Sequence, residues 1–150
     1  MKSWTKFFIA VFTVFLIIEA SAALWHLLLF RAFYQEATQL VDRGLNNYVI
    51  GHLVTTNLSR SLVIVLFFNF FSKGVLKHLE QPGEVSPRDG IYFGTFLGVV
   101  SALMAVEYYG IWKISSYPWV LMEGSWATLQ GSLYGWGLGL IYREKSQIDG

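Results

Sequence analysis

Residues 7–33 read FFIAVFTVFLIIEASAALWHLLLFRAF, with one acid, Glu19, near the middle and one base, Arg31, near the end. At 1.5 Å rise per residue a helix of this length runs about 40 Å, more than the ~30 Å hydrocarbon core of a bilayer. It also exceeds the roughly 7–15 apolar residues of a signal-peptide core, and no small-residue cleavage site follows it. The stretch therefore reads as a retained membrane span.

Working outward, three similar runs follow, from about Tyr48 to Phe71, Ile91 to Ile114 and Trp119 to Tyr142. Of the 150 residues 54% are hydrophobic and 14% charged, against about 25% charged in an ordinary soluble domain. The expected fold is an all-α integral membrane protein with four transmembrane helices arranged as two helical hairpins, a four-helix bundle. Four spans of ~22 residues leave no room for a separate water-soluble catalytic domain, so residues 1–150 read as a single membrane domain. Between the third and fourth spans stand only Ser115, Ser116, Tyr117 and Pro118, a tight hairpin connection. Turn formers and charges concentrate around Glu80, Pro82, Gly83, Glu84 and Pro87, marking a linker at about 79–90 between the halves.

With the N-terminus inside, Lys2, Lys6, Lys73, Lys77, Arg88, Arg143 and Lys145 flank the spans on the cytoplasmic side, against Arg31, Arg43 and Lys113 outside. This bias places both termini in the cytoplasm. Trp4 falls at the inner boundary and Trp112 and Trp119 at the outer one, where amphipathic indoles settle. The expected location is the cell membrane, as a multi-pass protein of the bacterial inner-membrane kind.

Gly90, Gly94 and Gly98 recur every four residues in the third span, as do Gly131, Gly135 and Gly139 in the fourth, with Gly137 added. Each set lies along one helical face, and small residues at that spacing let two backbones approach closely in lipid. The pattern predicts that these helices touch along the two ladders; the alternative is an outward-facing ladder forming a dimer seam.

Glu19 and Arg60 each lie about a dozen residues from the ends of their spans, near mid-membrane, where a lipid-facing charge is costly. They are expected to turn inward as an ion pair. Such a pair either fixes helix register or guards a proton, ion or solute path. Glu19 and His26 are seven residues apart and share a face; His52, Thr56 and Arg60 form a stripe with Asn57 beside it; Glu123 and Gln130 repeat the seven-residue spacing. Glu19, His26, Asn57, Arg60 and Glu107 are the expected intramembrane polar site. His52, Glu123, Ser125 and Gln130 are its outer rim, although residues near span ends also read as headgroup contacts.

Several chemistries are excluded or poorly supported. The chain has no cysteine, which removes disulfides, thiolate metal sites and cysteine nucleophiles. The formal net charge is +1 with basic residues spread as flanks, so no nucleic-acid footprint exists. No catalytic residue set stands at recognisable spacing, and no metal-ligand motif appears. No cofactor is expected; a b-type haem held by His26 and His52 rests on two histidines alone. Gly135, Gly137 and Gly139 belong to a packing ladder, since a dinucleotide loop needs a strand before it.

The functional expectation is a small transport, permeation or ligand-binding module with a polar site opening to the outer side, proton-linked through Glu19. It would work as a homo-oligomer, because four helices offer little wall around a path. One alternative is a non-catalytic subunit of a larger membrane complex contacting pigment, quinone or haem, with other membrane subunits and lipid as partners. Another is a membrane enzyme acting on lipid through Glu107 or Glu123.

Overall fold

A computed structural model describes residues 3–32, 47–74, 85–112 and 117–143. They form four long helices and, among the described residues, no strand. We label them α1 (Ser3–Ala22, continued by a π-helical segment, Ala23–Leu29), α2 (Asn47–Gly74), α3 (Pro87–Trp112) and α4 (Tyr117–Tyr142). Two stretches, Trp4–Leu29 and Val54–Ser72, are long and apolar enough to cross a membrane. Helices α3 and α4 are 26 residues each, long enough to cross, but the glycines, serines and polar groups along them dilute their apolar character.

The start of α3 departs from the expected linker. Pro87 to Gly90 are helical because Pro87 takes the first helical position, where its missing N–H costs nothing. Ser86 and Asp89 cap the end reciprocally: Ser86 N and Oγ both donate to Asp89 Oδ2 at 2.7 Å, and Asp89 N donates to Ser86 Oγ at 3.3 Å. The linker therefore ends before Pro87, and Gly90 is free to join the packing seam.

That seam joins α3 and α4. A Cβ on Gly94 would run into the carbonyl of Gly131 and stand 2.8 Å from Gly135 Cα. One on Gly90 would strike Gly135 O and lie 2.8 Å from Gly139 N, and one on Gly98 would stand 2.7 Å from Thr128 Cα. The backbones approach so closely that only hydrogen fits between them. Thr95 Oγ1 and Ser132 Oγ share a hydrogen bond of 2.8 Å beside the seam. Gly137 faces the other way, toward α1, where a Cβ would meet Ile17 Cδ1 at 3.0 Å.

Helix α1 packs against both α2 and α4. Its stripe Ala10, Val14, Ile18 interlocks with Ile64, Val65 and Phe68 of α2, Phe93 of α3, and Tyr134 and Leu138 of α4 in one buried cluster. The four-residue spacing on α1 places these side chains one above another. Phe93 closes the cluster against the rings of Phe68 at 5.1 Å and Phe71 at 5.4 Å, and Asn69 Nδ2 donates to Tyr142 Oη at 2.9 Å. This core fills the half of the bundle that holds the first residues of α1 and the last of α4.

Candidate functional site

In the other half, α1 reaches its neighbours through polar side chains. Toward α2, Asn57 Nδ2 donates to Glu19 Oε1 at 3.0 Å. Toward α4, Gln130 Nε2 donates to Ser21 Oγ at 3.2 Å and to Ile18 O at 3.4 Å. Further along, His26 Nε2 meets Glu123 Oε1 at 3.3 Å. Gln130 is only 2% exposed, so its amide depends on these partners for the hydrogen bonds it loses from water.

The Glu19–Arg60 ion pair expected from sequence does not form: no nitrogen of Arg60 comes within 4.0 Å of a Glu19 oxygen. The reason is helix azimuth. The inward stripe of α2 is Asn57, Ser61, Ile64, Val65 and Phe68, and Thr56 is exposed. The polar stripe is thus turned by one residue from His52–Thr56–Arg60, which brings Asn57 and not Arg60 opposite Glu19. Ser61, fully buried, returns its hydroxyl to Asn57 O at 2.7 Å. Arg60 is half-buried on the edge of the stripe.

The π-helical segment is the second local departure. Phe30 N donates to Trp25 O at 3.0 Å, five residues back, so α1 winds wider here than an α-helix would. Trp25 stacks on Trp126 of α4 with ring centroids 5.1 Å apart, and His26 meets the same indole edge-on at 5.8 Å. Both imidazole nitrogens face oxygens: Nδ1 lies 3.0 Å from Ala22 O, which only accepts, and Nε2 faces Glu123. Nδ1 therefore carries a proton, and the Nε2–carboxyl contact holds a second, on the ring or on the acid. The pair is net neutral in either arrangement, which suits its half-buried place.

The structure brings together Glu19 with Asn57 and His26 with Glu123, and it moves Gln130 from the rim to the bundle interior. Glu107 and Ser125 are exposed and make no described contact with that cluster. The side chain of His52 lies outside the described residues, and with it the pairing with His26 that a haem would need. Among the described residues no three His, Asp or Glu side chains converge on a metal-sized site. Sequence reading passed over Ser21 and the Asn69–Tyr142 bond. Ser21 stands two positions from Glu19, and that proximity was the available signal.

Fold and site together define a four-helix bundle with one apolar half and one half crossed by interhelical polar bonds. Compared with protein families, curated proteins and solved structures, the chain shows no significant match to any of them. Function is therefore argued from its own geometry.

Proposed function

We propose that this chain is an integral membrane protein whose four helices all cross the bilayer as two hairpins, with both termini cytoplasmic. Its polar half opens to the outer side and passes or binds a small solute, with Glu19 as the protonatable group. The observation that carries this reading is the Glu19–Asn57 contact: an ionisable carboxyl near the middle of α1, facing a neighbouring helix and not the surroundings. Intramembrane acids turned inward in this way mark ion and solute routes.

The surface supports the membrane part of the reading. Phe8, Phe12, Leu28, Phe67, Phe70 and Leu103 are all exposed, an outward apolar coat that suits lipid and would be a liability in water. Transport through a bundle this small calls for more than one copy. The location would be a cell membrane, of the bacterial inner-membrane kind.

The test is reconstitution into liposomes with an imposed proton gradient and a fluorescent pH probe inside. Wild type is expected to dissipate the gradient faster than protein-free vesicles, and Glu19→Gln to return the rate to that of the blank. Equal rates for wild type and blank would remove the proton-linked reading. Because the chain has no cysteine, single Ser115→Cys and Ser146→Cys variants report topology in intact cells. An impermeant maleimide is expected to label the first and spare the second.

A further inference from the structure

Arg60 is a further charged group of α2, and its chemistry is specific. A guanidinium stays protonated at any accessible pH and presents five N–H donors in a planar fork. Arg60 lies midway along α2, about 20 Å from either end at 1.5 Å per residue, too far for its side chain to reach the helix ends. Yet among the described residues it makes no hydrogen bond and no ion pair.

Among the described residues no carboxylate oxygen lies within 4.0 Å of an Arg60 nitrogen. Glu19 accepts from Asn57, Asp89 is held by Ser86 at the opposite end, Glu123 faces His26, and Glu107 is exposed on α3. On its own helix the polar, neutral Asn57 stands one turn before Arg60. A half-buried fork of donors with no acceptor among the described residues suits an acceptor brought from outside.

We propose that Arg60 is the receptor for an oxyanion, a carboxylate or phosphate group held bidentately by the guanidinium. The oxyanion comes either from a free solute or from a lipid headgroup. This deepens the reading of the polar half as a ligand site by naming the class of ligand. The planar fork matches the two oxygens of such a group in a way that an ammonium does not.

Thermal unfolding of the detergent-purified protein tests this without any transport assay, so its outcome is independent of the flux result. Tm is measured in sodium chloride, sodium acetate and sodium phosphate at equal ionic strength, and separately in neutral micelles doped with phosphatidylglycerol. A ligand that binds only the folded state raises Tm with concentration.

Wild type is expected to gain Tm in acetate or phosphate over chloride. Arg60→Gln loses the gain, Arg60→Lys keeps a reduced one, and Arg88→Gln, at the far end of α3, keeps it in full. A gain with phosphatidylglycerol alone that Arg60→Gln abolishes assigns the site to a lipid headgroup. The proposal is overturned if no oxyanion raises the Tm of wild type above chloride, a result that stands even where Arg60→Gln fails to fold. It is equally overturned if Arg60→Gln and wild type gain alike.

Discussion

In the α3–α4 hairpin the backbones themselves meet, Gly94 against Gly131 and Gly90 against Gly135, with no side chain between. In the α1–α2 hairpin the helices stand side chain to side chain, through Val14 and Ile18 on Val65 and Phe68 at one level and Glu19 on Asn57 at the next. The first arrangement gains its energy from dispersion over a long, continuous line of contact, and it tolerates no added atom. The second combines apolar packing with one directional bond, Glu19 to Asn57, among the described residues. The α3–α4 seam is thus set by backbone contact, whereas α1 meets α2 through apolar packing and the Glu19–Asn57 bond.

The difference is broken most severely at the seam. Gly94→Ala puts a methyl into the Gly131 carbonyl, backbone that has no rotamer to yield, so the helices must separate. The expected loss is about 3 kcal/mol, read as a lowered midpoint of unfolding in detergent. Gly135→Ala should behave alike. A wild-type midpoint for either would mean that α3 and α4 are spaced more widely than described.

The polar hairpin is probed by a double-mutant cycle. Asn57→Leu leaves the Glu19 carboxyl without its donor, and Glu19→Leu with Asn57→Leu removes both ends of the bond. The coupling between them is expected at about 1–2 kcal/mol, the upper range for interhelical hydrogen bonds in membrane proteins. The same cycle with Arg60 in place of Asn57 should give additive losses. Coupling to Arg60 and none to Asn57 would restore the ion pair expected from sequence. At the apolar end, Tyr142→Phe removes the acceptor of Asn69, which keeps its second bond to Val65 O at 2.9 Å; about 0.6 kcal/mol is expected there.

The two hairpins were also unequally legible. The glycine ladders stand out in the sequence because a close helix approach needs a missing side chain every four residues, and that need is independent of what lies opposite. The polar partners did not, because choosing Asn57 over Arg60 requires the rotation of α2 about its axis, and a shift of one residue is about 100°. Periodicity finds a stripe but not the neighbour it faces. The π-helical segment at Ala23–Leu29 left no mark either: it contains no proline or glycine, and the indole that Trp25 and His26 meet, Trp126, lies a hundred residues away in the chain. Gln130 was read as rim for a related reason, since its burial comes from Ser21 and Ile18 on a distant part of the chain.

Gly124 gives the finest discrimination, because it sits in α4 like the seam glycines but beyond their line. A Cβ there would meet only Ala102 Cβ, at 3.4 Å, an ordinary contact. The substitution Gly124→Ala therefore adds no clash and removes the backbone freedom that glycine retains in the unfolded chain. Stability should rise by about 0.5 kcal/mol, opposite in sign to Gly94→Ala and several times smaller, in the same unfolding assay. A loss at Gly124 comparable to that at Gly94 would show that close approach continues past Gly98 toward the first residues of α4. The α3–α4 contact would then run beside the polar half as closely as it runs beside the apolar one.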